Sequence, residues 1–185
     1  MIPAPFPVFQ SDSIRATVGQ LGVASDNSRV GLSVTIENIS TAAVYLALQG
    51  ANTGDDRYRY PSLELSDDRA TEWRLHFSYS ELPYEISGIQ TLPYGYTTAK
   101  QADFTAIAPS ERITVVMNFE RLSGGNTPGT TFSFAAQGTF YTSSGLKSVS
   151  IGFPRIPVGQ QPVQANPTST LFCTISGKSS PSLFS

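Results

Sequence analysis

Residues 29–48 read RVGLSVTIENISTAAVYLAL, and they decide the fold. Val30, Leu32, Val34 and Ile36 point one way, while Gly31, Ser33, Thr35 and Glu37 point the other. Successive side chains on a strand face opposite sides, so this period of two, with β-branched residues on the apolar set, predicts a half-buried antiparallel strand. Asn38-Ile39-Ser40-Thr41 supplies a polar turn, because Asn and Ser side chains can bond their own backbone there. Val44, Leu46 and Leu48 then resume the alternation, with Ala43, Tyr45 and Ala47 opposite. Two such strands need others to pack against, and the rest of the chain supplies them.

Upstream, Ile14, Ala16 and Val18 alternate, Gly19-Gln20 interrupts, and Leu21 and Val23 restart on the opposite parity, the signature of a β-bulge. Downstream, short apolar alternations recur around Leu63 and Leu65, at Trp73, Leu75 and Phe77, and near Phe104. They recur again at Ile113, Val115, Met117 and Phe119, at Phe132 and Phe134 towards Tyr141, and at Val149, Ile151 and Phe153. Turn-formers separate them: Ser66-Asp67-Asp68-Arg69, Pro109-Ser110-Glu111, residues 123–129, and Ser143-Ser144-Gly145. The predicted core is Val34, Ile36, Leu46, Trp73, Val115, Met117, Phe119 and Phe134. No window keeps apolar residues at helical spacing for three turns.

Composition sets the outer limits. The chain has 185 residues, enough for one domain with a real core and some tail. Charged residues make up only 14%, well under the usual quarter, and polar turn-formers fill the gap. A net charge of −2 gives no long-range attraction to nucleic acid. The single cysteine, Cys173, excludes an intrachain disulfide and a cysteine-based zinc site. No apolar run reaches the roughly 18 residues of a membrane span. The opening MIPAPFPVFQ lacks a basic region and is broken by prolines, so it is not a signal peptide as it stands. The low-charge surface chemistry leads us to expect an extracytoplasmic setting, periplasmic or secreted.

Three segments are expected: an extended proline-rich arm over 1–12, a β-sandwich over 13–158, and a low-charge tail over 159–185. Within the tail, residues 168–175 (TSTLFCTI) could add one strand to a sheet edge. The succession of a long alternating strand, an Asn-x-Ser turn, an aliphatic strand and a Pro-Ser-Glu turn into residues 113–119 resembles the immunoglobulin-like accessory domains of bacterial exported proteins. That resemblance spans about residues 14–156. It implies an antiparallel two-sheet sandwich with a binding or structural role, although no cysteine pair brackets Trp73 as in antibody-type domains.

Chemistry-bearing residues are few. His76 is the only histidine; it alternates with Trp73, Leu75 and Phe77, which predicts a solvent-facing position, and no G-x-S-x-G elbow accompanies it. Asp55-Asp56 and Asp67-Asp68 are acidic pairs in turn-like segments where calcium would find oxygen ligands, yet each is followed by an arginine and neither has EF-hand spacing. Asn38-Ile39-Ser40 is a formal N-glycosylation triplet. Arg57-Tyr58-Arg59-Tyr60 interleaves cations with rings, but residues 55–74 hold six acids against four arginines, so nucleic-acid binding is not expected.

Six of the eight tyrosines lie in residues 58–96, among prolines and glycines that break any alternation. That stretch predicts long loops at one end or edge of the sandwich, with Tyr58, Tyr60, Tyr84, Tyr94 and Tyr96 as candidate binding residues. The reading is of a non-enzymatic domain with no cofactor and no metal. It would act by binding a protein partner or by self-assembly through loops or tail. The alternatives are a carbohydrate-binding module with a glycan ligand, and a hydrolase whose residues the sequence does not advertise.

Overall fold

A computed structural model describes residues 8–50, 62–76, 85–92, 98–123 and 127–159. Its strands are β1 (Val8–Gln10), β2 (Ile14–Val23), β3 (Arg29–Asn38), β4 (Val44–Gln49), β5 (Leu63–Asp67) and β6 (Glu72–Leu75). They continue with β7 (Glu85–Ile86), β8 (Ile89–Leu92), β9 (Thr105–Ile107), β10 (Arg112–Ser123), β11 (Thr131–Thr142) and β12 (Gly145–Pro157). The one helical element among the described residues is a 3₁₀ turn at Gln101–Asp103.

The strands form an antiparallel β-sandwich. One sheet runs β1-β2-β3-β10-β6; the other is centred on β11, with β12 on one side and β4 and β5 on the other. The β5–β6 hairpin joins them, since β6 pairs with β10 and β5 with β11. The skeleton of β2-β3-β10-β6 facing β4-β11-β12 has the strand order of an immunoglobulin-like Greek key. Among the described residues the one parallel pairing is β4 with β8.

Burial follows the alternation read from the sequence. Val30, Leu32, Val34 and Ile36 from β3 and Val44, Leu46 and Leu48 from β4 are all buried in one apolar core. The two strands do not pair with each other; the Asn38 turn carries the chain from one sheet to the other. All eight residues expected in the core are buried. Phe119 of one sheet meets Phe134 of the other edge-on, with centroids 6.3 Å apart, and Trp73 lies 6.0 Å from Phe132. Such ring pairs add to the area-dependent stabilisation of the core. The parity switch in β2 is a bulge: Val18 pairs with Val34 and Gln20 with Ser33, leaving Gly19 over. A Cβ at Gly19 would lie 2.9 Å from Ser33 Oγ, which explains the glycine.

Two features differ from the sequence expectation. The arm is not wholly apart from the sandwich, because Val8–Gln10 pairs with residues 15–17 of β2 as β1. Within the tyrosine-rich stretch, Ile86 and Ile89 are fully buried on the β7–β8 hairpin, closed by Ser87 (φ 48°) and Gly88 (φ 84°). Ser87 Oγ accepts the Val116 N–H at 3.2 Å, so this hairpin docks on a part of β10 that β6, paired only from Phe119 onward, does not cover. The irregularity of residues 58–96 conceals a core element, as well as whatever loops it forms.

Candidate functional site

Three turns meet at one end of the sandwich, and each is held by a local device. Ser11 Oγ accepts the Ile14 N–H at 3.1 Å and sets the turn between β1 and β2. Asn38, 1% exposed, sets the turn between β3 and β4. Its Nδ2 donates to the Ala42 and Ile107 carbonyls at 2.8 Å each, and its Oδ1 accepts from the Ser40 N–H and hydroxyl. The third turn joins β11 to β12. Gly145 there has φ 117°, a backbone state that side chains oppose, and Thr142 Oγ1 donates to its carbonyl at 2.7 Å.

Between these turns lies an open cleft of about 820 Å³. Directly paired residues share a face of a sheet. Phe140 pairs with Lys147 and Gly138 with Val149, so Lys147 and Val149 stand on the inner face of β12, beside Phe140. Val44, Phe140 and Val149 therefore floor the cleft where the core runs out, while Ser11, Asp12 and Lys147 border it. Tyr45 and Tyr141, directly opposed on β4 and β11, close its other side. Phe104 packs on Tyr141 with centroids 5.6 Å apart. Neither the Asp12 carboxylate, the Lys147 ammonium nor the hydroxyls of the two tyrosines has a hydrogen-bonding partner among the described residues.

β12 adds a second property to this end. Among the described residues its ladder runs with β11 alone, and residues 145–150 are exposed except for the half-buried Val149. Leu146 is 37% exposed. Further along, Pro154 and Arg155 of β12 stand against the single Ser133 of β11 between the Phe134–Phe153 and Phe132–Ile156 pairs, and Pro157 follows. A bulge and prolines blunt an edge against strand addition, so the edge left open is its first half.

The other residues singled out from the sequence resolve differently. Asp67 is structural: Oδ1 accepts the N–H groups of Arg69 at 3.0 Å and Thr71 at 2.9 Å, while Oδ2 accepts the Gly129 N–H at 2.9 Å and Trp73 Nε1–H at 3.4 Å. Burial alone would raise its carboxyl; the N–H groups of Gly129, Thr71 and Arg69 outweigh that and hold it below the ordinary value. With its oxygens so engaged, and those of Asp68 bonded to Thr130, this pair does not fit a calcium site. Asp55 and Asp56 lie outside the described residues.

His76 is partly exposed beside Arg74, as the alternation predicts, and its Nδ1 is 2.8 Å from Glu120 Oε2. Arg74 holds the other Glu120 oxygen at 3.0 Å. Burial pushes the Glu120 carboxyl up, but the bonds from His76 and Arg74 prevail and set it below the ordinary range. The histidine thus serves an ion-paired cluster on the outer face, and the acids near it in sequence bond elsewhere. The Asn38 triplet is not an acceptor site in this fold, since Nδ2 is buried and both its hydrogens are engaged. Tyr58, Tyr60, Tyr84, Tyr94 and Tyr96 all lie outside the described residues, as do Cys173 and the rest of the tail beyond Gly159. Tyr45 and Tyr141 were missed because each sits in a clean strand, where alternation reports the core and not the outer face.

No family model matches the sequence. No curated protein is similar to it. Among solved structures, the chain is similar to the GAE domain of GGA2p from Saccharomyces cerevisiae, with a TM-score of 0.43 and 9% identity over 83% of this chain and 99% of that one. What the chain shares with the accessory domains of bacterial exported proteins is architecture.

Proposed function

We propose that this protein is a non-enzymatic binding domain that works outside the cytoplasm and takes an extended segment of a protein partner along β12. One observation carries the reading: the open first half of β12 lies directly beside a cleft with an apolar floor. An edge strand offers backbone N–H and C=O groups to any extended peptide, and a pocket beside it selects among side chains. Tyr58, Tyr60, Tyr84, Tyr94 and Tyr96 are proposed as further contacts with the same partner. The test is selection of a random peptide library on the full-length chain, followed by hydrogen exchange of the winning complex. Protection gained over residues 145–151 supports strand capture; enrichment of nothing, or protection elsewhere, removes it.

A carbohydrate-binding role is the second reading, and Tyr45 and Tyr141 are what favour it. They form an adjacent pair of rings on one sheet face with unengaged hydroxyls. Sugars stack on such platforms. A glycan array decides: specific binding that Tyr45→Ala and Tyr141→Ala abolish, without loss of folding, would replace the peptide reading.

A further inference from the structure

We infer that the segment β12 captures carries an apolar residue followed two positions later by an acidic one. This rests on the peptide-binding reading above and specifies the partner's chemistry. Lys147 and Val149 are two apart on β12, so both face inward, towards the cleft. An inward-pointing lysine on an edge strand deters indiscriminate strand pairing, because an apolar neighbour would leave the charge without a partner. The same lysine admits a guest that brings a carboxylate.

In an added strand the side chains opposite Val149 and Lys147 also share the inward face, and they too are two residues apart. An apolar side chain opposite Val149 reaches the floor formed with Val44 and Phe140. An acidic one opposite Lys147 meets an ammonium with no partner among the described residues. Antiparallel pairing, the stronger arrangement, puts the apolar residue first and the acid second. The occupant is a separate protein; residues 160–185 do not match the pattern, since they contain neither Asp nor Glu.

The experiment is an NMR titration of the full-length protein with synthetic peptides of about seven residues, the length of the open edge. Each peptide is built from Thr and Ser around a central Phe-Thr-Glu, Phe-Thr-Lys or Glu-Thr-Phe. Phe-Thr-Glu is expected to bind about two- to fivefold more tightly than Phe-Thr-Lys, the range of an exposed ion pair, and more tightly than Glu-Thr-Phe. Its shifts should be centred on residues 145–151. Lys147→Glu should reverse the preference between Glu and Lys peptides; its side chain is exposed and unbonded, so folding should be unaffected. If Lys147→Glu leaves the preference unchanged, or Glu-Thr-Phe binds best, the inference fails while strand capture stands. Absence of shifts on β12 with every peptide, including those selected from the library, overturns both.

Discussion

Asp67 fastens three parts of the sandwich at once, and replacing it should show how much of the stability passes through one carboxylate. Its two oxygens accept from Arg69 and Thr71 in the β5–β6 turn, from Gly129 ahead of β11, and from the indole of Trp73 in the core. Asp67→Ala leaves three backbone N–H groups without an acceptor, and those of Thr71 and Gly129 are buried. A stranded buried donor costs about 1–3 kcal/mol. With relaxation and water entry the sum should come to about 3–5 kcal/mol, a large part of a domain's typical stability. Asp67→Asn should cost less, about 2–3 kcal/mol, because one oxygen still serves Arg69 and Thr71 while the new amide opposes the Gly129 donor. The carboxyl is held below its ordinary value in the folded state. Its stabilisation is therefore complete at neutral pH and is lost as pH falls below about 4, through the folded value. Urea denaturation at pH 7 and again near pH 3 measures both effects, and the gap between wild type and Asp67→Asn should narrow in acid. Variants within about 0.5 kcal/mol of wild type at pH 7 would refute the account.

Val34→Asp should prevent folding, because it puts an unpaired charge into the core at a residue 3% exposed; a soluble variant with a cooperative melt would contradict the facing assigned to β3. Produced in a glycosylating secretory host, the folded protein should carry no sugar at Asn38, checked by intact mass. Asn38→Ala should nonetheless destabilise it by about 2–4 kcal/mol, since two carbonyls lose their donor. Gly88→Ala forces a side chain to φ 84° in the β7–β8 turn and should cost about 1 kcal/mol by thermal or chemical melting. An unchanged midpoint would mean that the turn relaxes freely. Replacing Tyr84, Tyr94 and Tyr96 together by Ser separates binding from packing: a lost partner with an unchanged melt assigns them to the surface, and a lowered melt with the partner kept assigns them to the core.

Long strands with one buried face were legible, because alternation and burial are the same fact seen twice. β3 from Val30 to Ile36, β10 from Ile113 to Phe119 and β11 from Phe132 to Phe140 each show an apolar residue at every second position, and each is buried at those positions. The bulge at Gly19 was legible for the same reason, as a slip in parity. β7 and β8 were not, because strands of two and four residues are too short for alternation to stand out. The signal that could have found them was Ile86-Ser87-Gly88-Ile89, two apolar residues around a two-residue turn of the kind tight hairpins favour. Asn38 was read as a turn-former, and it is one. That its amide also ties β9 to the β3–β4 turn depends on a contact 69 positions away, which local sequence cannot carry.

The candidate site was hidden for a different reason. A sequence pattern reports which residues a strand buries, whereas an edge site is defined by what a strand leaves unpaired. Nothing in the residues of β12 says that β11 is its sole partner among the described residues; that follows from the order in which the strands assemble. Once the order is known, the same residues acquire meaning. Lys147 interrupts the inward apolar row of Val149, Ile151 and Phe153 at the point where the core ends. Read as sequence, a lysine there marks the fraying end of a strand. Placed on an open edge beside an apolar floor, it is the group that decides which strand can be added. That is why substitution at Lys147, which should leave folding untouched, is expected to change the choice of partner.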